Sequence, residues 1–361
     1  MGLTALDRDR LPEPLALRPR VAGLRSDVAL DTPQISVVIV NFCQWKNTAR
    51  LTQQLRQSEA VRRGAAEIVI VDNHSPKSKI RRKLAALSGV TVVRHRTNAG
   101  FAKAVNRGSG RSHGEWVLLL NPDVTVEPGF LDAVLESAQR FPAVDPKAGV
   151  VGFQLRNVDG SRQASAGAYP TLLRTLSGVF VPRARRKCQH QSLTSRQAVP
   201  WVTGGCFLVR RDCYEDVGGM DEAFFLYYED VDFCQRAKAL GWSIWYEPAV
   251  QVVHHFPLHT RKVPPSLRLI TRHALLTYAK KHWANWQTNL LAATIWLEAT
   301  AKAMLARHRH DAESLEAFNQ LREVVVDLLH RREGEAATTV HRIAQSLEKI
   351  ASANDGKTAG R

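Results

Sequence analysis

Apolar runs alternate with amphipathic segments through the first part of the chain, a pattern that predicts alternating strands and helices. Four runs are predicted to be strands, at residues 35–40, 67–71, 90–93 and 116–120. The first and the fourth are apolar on both faces, which is typical of strands buried inside a parallel sheet. Helices are predicted at residues 46–56, 77–87, 98–107 and 129–140, with Gly108 and Gly110 as stop signals for the third. The alternation predicts βαβ units and a doubly wound α/β sheet.

The second part of the chain has a looser pattern. Strands are predicted at residues 150–155, 242–246 and 249–253, and a single glycine-hinged strand at 201–210. Gly204 and Gly205 lie inside that last strand, where missing side chains allow a ligand close to the backbone. A helix is predicted at residues 232–240, directly after the acids Glu229 and Asp230.

Two predicted strands end in a carboxylate. Asp72 follows the second strand, and Asp123 follows the fourth, which Pro122 terminates. An isolated Asn-Pro-Asp is more often a simple turn, but in a doubly wound sheet both acids fall on the edge where ligands bind. Two carboxylates there suit a nucleotide with a metal-bridged pyrophosphate, the metal being Mg²⁺ or Mn²⁺. The chain contains neither G-x-G-x-x-G after the first strand nor a P-loop, which argues against those two nucleotide sites.

A second candidate site lies where aromatic residues meet acids. Glu229 and Asp230 follow five large apolar or aromatic residues, so a carboxylate there would be partly desolvated and suited to act as a base. The alternative is that these acids only complement the helix dipole. His254 ends the last predicted strand; it is either a surface residue or a metal ligand.

Composition adds a charge argument. The chain has 361 residues, a net charge of +16 and a pI near 10.0, which favours anionic partners: nucleic acid, phosphorylated substrates or anionic lipid. Its five cysteines form no C-x-x-C pair, so reduced cytoplasmic thiols are expected. No signal peptide is expected, and no apolar run approaches the ~20 residues of a membrane span.

Taken together, the motifs resemble the inverting GT-A glycosyltransferases of family 2, in particular their bacterial rhamnosyltransferase-like branch. The matching motifs, in the expected order, are V-V-I-V-N (residues 37–41), V-D-N (71–73), N-A-G-F-A-K-A-V-N-R-G (98–108), L-L-L-N-P-D-V (118–124), T-G-G-C-F-L-V-R (203–210) and V-G-G-M-D-E-A-F-F-L-Y-Y-E-D-V-D-F-C-Q-R (217–236). The last is long and specific, and chance agreement of all six is negligible.

The resemblance implies a GT-A fold and a role for each matched residue. Asp230 corresponds to the catalytic base, with Glu229 and Tyr228 on the acceptor side. Asp123 corresponds to the last acid of the family's D-x-D metal motif, in which Asn121 here replaces the first acid, and His254 completes the metal shell. The residues implied to bind the donor are Val40, Asn41, Asp72, Asn98, Gly100, Lys103, Asn121, Asp123, Gly204 and Gly205.

The implied activity is metal-dependent, inverting transfer of a sugar, by branch resemblance rhamnose from dTDP-rhamnose. The implied acceptor is a polyprenyl-linked compound or a polysaccharide of the cell envelope. UDP-sugars, including galactofuranose, remain alternative donors. A catalytically silent sugar-nucleotide or nucleic-acid binding protein is a second function class, but the matched base Asp230 favours an enzyme, and no nucleic-acid fold is recognised.

The predicted domains are an N-terminal extension (1–34), a catalytic domain (35–256), a basic helical region (257–350) and a disordered tail (351–361). Six basic residues of the helical region precede its first acid, and three tryptophans accompany them: Arg261, Lys262, Arg268, Arg272, Lys280 and Lys281, with Trp283, Trp286 and Trp296. Such a region is typical of segments that bind an anionic membrane surface, here the cytoplasmic face of the plasma membrane. A packed helical appendage is the alternative, and a homo-oligomer is left open.

Overall fold

The computed structural model describes residues 32–177, 193–255 and 263–358, with side chains through residue 345. The strands are β1 Ile35–Asn41, β2 Ala66–Asp72, β3 Val90–Arg94, β4 Trp116–Leu120, β5 Val124–Thr125, β6 Ala148–Arg156, β7 Arg162–Gln163, β8 Ala166–Gly167, β9 Gln197–Ala198, β10 Trp201–Val202, β11 Cys206–Arg210 and β12 Ser243–His254. The helices are α1 Trp45–Leu55, α2 Glu59–Arg62, α3 Lys79–Ala85, α4 Phe101–Ser109, α5 Phe130–Val144, α6 Leu172–Ser177, α7 Arg211–Asp216, α8 Glu229–Ala239, α9 Pro265–His282, α10 Asn285–His308, α11 Ala312–Leu329 and α12 Glu333–Thr358. Most of the predicted N-terminal extension, with Cys188, Arg261 and Lys262, lies outside the described residues.

The central sheet has the strand order β3-β2-β1-β4-β11-β6-β12-β5. The first four of these strands are parallel, which confirms the predicted doubly wound α/β half of the fold. β11 then runs antiparallel to both of its neighbours, β4 and β6, and β5 runs antiparallel to β12. The complete sheet is therefore mixed, because an apolar run predicts a buried strand but does not specify its direction.

Two strand predictions need correction. Residues 201–210 do not form one strand: β10 pairs with β8 in a separate two-stranded sheet, whereas β11 lies in the central sheet. The glycine pair between them carries the chain from one sheet to the other. Conversely, the two strands predicted at 242–253 are one strand, β12, with an irregular register between Glu247 and Gln251. Pro248 lies in that irregularity, where its missing N–H interrupts no ladder.

One predicted end of a helix is also wrong. Gly108 lies inside α4 rather than after it, and a Cβ at this position would come within 2.5 Å of Val38 Cγ1. The glycine is needed for close packing of α4 on β1, so it does not act as a stop signal. In the structure α12 extends to Thr358, and the disorder of the tail beyond residue 351 stays a prediction.

The sheet separates two apolar clusters, and a third one holds the C-terminal helices together. Alternate residues of β1 point to opposite faces, so that Val37 and Ile39 join one cluster while Val38 and Val40 join the other. The third cluster is built from α9, α10, α11 and α12, and it includes Phe225 from the segment before α8. The helical region therefore packs on the catalytic part of the chain through a shared apolar core.

Buried charges reinforce this packing at the start of α8. The Asp232 carboxylate is fully buried and contacts Arg236 of its own helix at 2.8 Å. From α9, Lys281 Nζ lies 2.7 Å and His282 Nε2 2.8 Å from the same carboxylate. Burial would raise the pKa of Asp232, but the contacts with His282, Arg236 and Lys281 outweigh burial and hold its pKa well below the ordinary range.

Ion pairs also involve the basic residues of α9 that are predicted to form a membrane-binding face. Arg268 and Arg272 both pair with Glu298, and Lys280 pairs with Glu333. With Lys281 bound to Asp232, every one of the predicted basic residues that the structure describes has an acidic partner. The tryptophans divide as well: Trp283 and Trp296 pack against the third cluster, and Trp286 is exposed. The described basic residues of α9 are thus engaged in ion pairs within the fold, which supports the packed-appendage alternative for α9.

Replacing Asp232 with asparagine is expected to lower the free energy of unfolding by about 3–5 kcal/mol, because it leaves buried cations without their counter-charge. Urea unfolding at neutral pH measures the change. The matched control is Glu59→Gln, which removes an exposed ion pair with Arg62 and should cost about 1 kcal/mol or less.

Repeating the urea unfolding over a range of pH tests the assignment further, because the direction in which the stability difference should change is known. A carboxyl whose pKa is lowered by folding stabilises the fold above its unfolded pKa of about 4, and it loses that contribution as the pH falls toward the folded pKa. The difference between the wild type and Asp232→Asn should therefore be full at pH 7 and shrink below about pH 4. A constant difference across this range would contradict the assignment.

Candidate active site

The carboxyl ends of β1, β2 and β3 bring three polar side chains into register. Asn41 lies opposite Asp72, and Asp72 lies opposite Arg94. The Asp72 side chain is fully buried; its Oδ1 accepts the Ser75 backbone N–H at 2.8 Å, and its Oδ2 is 3.3 Å from Arg94 Nε. Within the described part of the chain Oδ2 has no hydrogen-bond partner of good geometry. A buried acceptor at a ligand edge can receive an N–H or O–H from a base or a ribose.

The loop between β3 and α4 is attached to this edge by an amide side chain. Asn73 Nδ2 donates to Asn98 Oδ1 at 2.9 Å and to the Gly100 carbonyl at 3.2 Å, and Asn73 Oδ1 accepts the Ala99 N–H at 2.9 Å. Asn98 in turn accepts the Gly100 N–H at 3.2 Å. Asn98 and Gly100, two predicted donor-binding residues, are thereby held beside Asp72.

Gly100 also connects this loop to the aromatic segment before α8. Its φ is +87°, and a Cβ there would come within 2.7 Å of the Phe225 carbonyl oxygen. The same carbonyl accepts the Phe101 N–H at 2.7 Å. Only glycine permits this close approach, since any side chain would add both strain and a clash.

Asp123 and His254 meet because β12 pairs with β5, which aligns His254 with Val124. The Nε2 atom of His254 lies 3.5 Å from Asp123 Oδ1, and both side chains are largely buried. On its other side, His254 Nδ1 contacts the Gln163 amide at 3.0 Å, a contact that fixes the orientation of the ring. The backbone N–H of His255 donates to the Asp123 carbonyl at 3.0 Å, while its side chain contacts Thr125, with Nε2 2.5 Å from Oγ1.

The pair suits a divalent cation that also binds substrate phosphates. Carboxylate oxygen and imidazole nitrogen are accepted ligands of Mn²⁺, and Mg²⁺ is commonly held by one or two carboxylates plus phosphate oxygens. Within residues 32–177, 193–255 and 263–345, no group of three or more His, Cys, Asp or Glu side chains forms a metal cluster. Asp123 and His254 are two protein ligands, which fits a metal whose remaining positions are taken by phosphate oxygens or water.

Asp230 lies at the start of α8, against the glycine pair. Its side chain is 3% exposed, and its Oδ2 accepts the Gly204 N–H at 2.9 Å while its Oδ1 accepts the Val231 N–H at 2.9 Å. Gly205 then joins this side to the other, because its carbonyl accepts the Asn121 N–H at 3.2 Å. Asp230 and Asn121 are thus connected through the turn formed by Gly204 and Gly205.

The residues that lead into α8 have unusual backbone angles. Tyr227 and Tyr228 have φ values of +74° and +67°, which are rare for bulky side chains. Glu229, the next residue, is buried at 5% exposure. Strained backbone of this kind is concentrated at functional sites, where the surrounding structure holds it in place. Here it directs Tyr228 and Glu229 toward the same end of α8 as Asp230.

The side chains of two predicted donor-binding residues do not lie at the ligand edge. Val40 packs into the second apolar cluster, so that only its backbone reaches the ligand edge. Lys103 points outward, pairs with Glu222 at 3.1 Å and lines a separate basic cavity. Gly204 has ordinary van der Waals space around it, and its contribution is the N–H that binds Asp230.

Sequence reasoning missed several residues that build the site. Ser75 accepts the Asn41 side-chain amide at 2.9 Å, Asn73 attaches the α4 loop, and Arg94 neutralises Asp72. Only Asn73 carried a local signal, because it belongs to the V-D-N motif. The other two residues act through partners distant in sequence, and no spacing rule identifies such pairs.

Comparison with known proteins gives a consistent match. The family model described as "Glycosyltransferase like family 2" matches residues 33–274. The chain is 32% identical over 279 residues to a Mycobacterium tuberculosis protein, "N-acetylglucosaminyl-diphospho-decaprenol L-rhamnosyltransferase". That alignment covers 72% of this chain and 88% of the relative.

More distant similarities extend to archaea. The "Low-salt glycan biosynthesis hexosyltransferase Agl10" of Haloferax volcanii is 22% identical over 245 residues, covering 65% of this chain and 71% of that protein. Among solved structures, a mannosyltransferase from Pyrobaculum calidifontis in complex with GDP-Man and Mn²⁺ aligns with a TM-score of 0.47 at 19% identity, covering 90% of each chain.

Proposed function

Because this chain belongs to glycosyltransferase family 2 and is therefore a sugar-transferring enzyme, we propose that it is a metal-dependent, inverting rhamnosyltransferase acting on a lipid-linked acceptor. The observation that carries the proposal is the buried Asp230 carboxylate, which accepts the Gly204 N–H at 2.9 Å. The glycine pair also binds Asn121, which lies two residues before the Asp123 of the Asp123–His254 pair. A binding protein has no need for a carboxylate held in this way.

The chain's own residues account for each requirement of a single displacement. Asp72 and the Asn73-held loop bind and orient the nucleoside, and the buried Asp230 carboxylate takes the proton from the acceptor hydroxyl. As that oxygen bonds to the anomeric carbon, the bond to the diphosphate oxygen breaks and the nucleoside diphosphate leaves. Attack from the face opposite to the leaving group inverts the anomeric carbon, and no enzyme nucleophile is required.

Asp123 and His254 would hold the divalent cation, which supplies positive charge to a diphosphate leaving group. The contact between Gln163 and His254 would keep the imidazole nitrogen facing that position.

The choice of substrates rests on the relatives. The M. tuberculosis relative is named as a rhamnosyltransferase that acts on a diphospho-decaprenol compound, which favours dTDP-rhamnose and a polyprenyl-diphosphate-linked sugar here. The archaeal relative is named as a hexosyltransferase, so UDP-sugars stay as the alternative donors. A screen of donor hydrolysis over nucleotide sugars, with Mg²⁺ or Mn²⁺, separates the two.

Asp230→Asn is expected to lower the turnover number by roughly 10²–10⁴-fold while leaving donor affinity nearly unchanged, because an amide cannot accept the proton. Turnover is measured with the donor identified in the screen, and affinity by calorimetry.

The control for this variant is Asp212→Asn, an exposed acid that pairs with Arg210 on the surface and should leave both quantities unchanged. Near-normal turnover in a folded Asp230→Asn protein would remove Asp230 from the role of base.

Asp123→Ala is expected to reduce donor affinity to the value that the wild type shows in EDTA, because one of the two protein ligands of the metal is lost. Calorimetric titration of the donor with and without Mn²⁺ tests this. Full activity of the wild-type enzyme in EDTA would disprove metal dependence at the outset.

We also propose a cytoplasmic, peripheral membrane location, with α10 rather than α9 providing the contact. Among the described helices, none is both long and apolar enough to cross a membrane. However, α10 exposes a stripe of apolar side chains at helical spacing: Trp286, Leu290, Leu297 and Met304, which are 64%, 46%, 63% and 67% exposed. The stripe ends at the exposed basic run Arg307–His310, written R-H-R-H. An apolar stripe with cationic residues at one end suits an anionic bilayer.

Leu297→Glu is expected to abolish most co-sedimentation with vesicles that contain anionic lipid, because a carboxylate would enter the apolar layer and repel the lipid headgroups. Thr338→Glu, an exposed position on α12, introduces the same charge away from the stripe and should bind as the wild type does.

Equal sedimentation of the wild type and Leu297→Glu would reject the membrane assignment. A dimer in the wild type that Leu297→Glu dissociates, measured by sedimentation velocity without lipid, would instead assign the stripe to contact between two copies of the chain.

A further inference from the structure

A basic cavity of about 550 Å³ lies between the catalytic part of the chain and the C-terminal helices. It is lined by the loop after β3, one face of α4 and a single residue of α12: Arg94, His95, Arg96, Thr97, Ala99, Lys103, Arg107 and His341. Four of these side chains are permanently cationic and two are histidines, whereas no carboxylate lines the cavity. Such a concentration of positive charge favours an anion.

Only some of the cationic side chains in this cavity are paired with acidic side chains. Arg94 contacts Asp72 at 3.3 Å, and Lys103 contacts Glu222 at 3.1 Å. Arg96 and Arg107 are exposed, and among the residues described neither has an acidic partner. Two guanidinium groups thus remain available, and guanidinium is suited to bidentate recognition of phosphate oxygens.

His95 gives an independent indication of a ligand. The residue is 8% exposed, and its Nε2 atom has no hydrogen-bond partner in the described ranges of the chain. Buried polar side-chain atoms are normally paired, so an unpaired one that lines a cavity calls for a partner. Burial, Arg107 and Lys103 lower the pKa of His95, while Glu222 and Asp72 act in the opposite direction.

The cavity lies apart from the place where the donor's diphosphate is expected. It opens at the end of β3, while Asp123 follows β4, and the strand order β3-β2-β1-β4 puts three inter-strand spacings between them. At about 4.8 Å per spacing, the two positions are separated by roughly 14 Å. A diphosphate on the Asp123–His254 pair therefore does not fill this cavity, and Asp72 on β2 receives the nucleoside between them.

We propose that the cavity lined by Arg96, Arg107 and His95 is a second anion site, which binds a phosphate or diphosphate group distinct from that of the sugar donor. The group is carried either by a free phosphate compound or by a polyprenyl diphosphate, and both present the same oxygens to the site. His341 lines the cavity from α12, so an anion bound there would contact both the catalytic part of the chain and the C-terminal helices.

The test is titration of the full chain with inorganic pyrophosphate in EDTA, which removes any metal from the donor edge. The wild type should bind, and the double variant Arg96→Ala/Arg107→Ala should bind about tenfold or more weakly, because two charge-assisted contacts are lost. Arg111→Ala, which removes an arginine just beyond α4 that does not line this cavity, should bind as the wild type does. Equal binding by the double variant, or no binding by the wild type, would overturn the proposal.

A spectroscopic readout places the anion in the cavity. Histidine resonances are followed by NMR over pH, with His95 assigned by the loss of its signal in His95→Gln. Bound pyrophosphate should raise the pKa of His95, because it adds negative charge beside a histidine whose pKa is lowered by burial and by Arg107 and Lys103. An unchanged His95 titration at saturating pyrophosphate would overturn the assignment to this cavity.

Two further measurements identify the compound that carries the bound phosphate group, and they separate this proposal from the proposed function. Neutral vesicles carrying a polyprenyl diphosphate should capture the wild type more than the double variant if the lipid is the ligand, whereas pyrophosphate binding without capture assigns a free phosphate compound. In both cases the double variant should retain the wild-type affinity for the nucleotide donor measured with Mn²⁺. Loss of donor affinity in parallel with pyrophosphate would show that the cavity belongs to the donor site, and it would overturn the proposal.

Discussion

The buried Asp232 carboxylate is the interaction on which the arrangement of this molecule depends. It lies in the first turn of α8, two residues after Asp230, and it binds cations from both α8 and α9. Because neighbouring residues of a helix face different directions, one turn can present Asp230 to the glycine pair and Asp232 to the C-terminal helices. The position of the Asp230 carboxylate is thereby coupled to the docking of a region that lies beyond the central sheet.

The remainder of the site follows from the way the sheet ends. The first four strands of the sheet, β1 to β4, run in parallel. Their polar terminal residues therefore lie at a single edge of the sheet. The antiparallel return of β11 and the pairing of β12 with β5 add Gly204 and His254 to that edge from distant parts of the sequence. At this edge the Arg94 guanidinium lies beside the Asp72 carboxylate, and the His254 ring lies beside Asp123.

The predictable part of this structure is the part that is governed by local rules. Asp72 and Asp123 could be placed at one edge because each follows an apolar run, and strand-end position is a property of a short segment. The direction of β11 and the continuity of β12 were not predictable, since hydrogen-bond partners in a sheet are chosen in three dimensions. The same reason explains why Asp232 gave no sign of its role: Lys281 and His282 are distant in the sequence, and the α9 charges were therefore interpreted as free.

Phe225 connects the catalytic part of the chain to the C-terminal helices. Its carbonyl receives the Phe101 N–H beside the donor loop, while its ring packs in the core of the C-terminal helices and meets the His341 ring edge-on at 5.0 Å between centroids. A residue shared in this way makes the two regions parts of one core, so that removal of the C-terminal helices would expose the Phe225 ring beside the loop that precedes α4. Chimeras that aim to change donor or acceptor preference would need their junctions outside both regions.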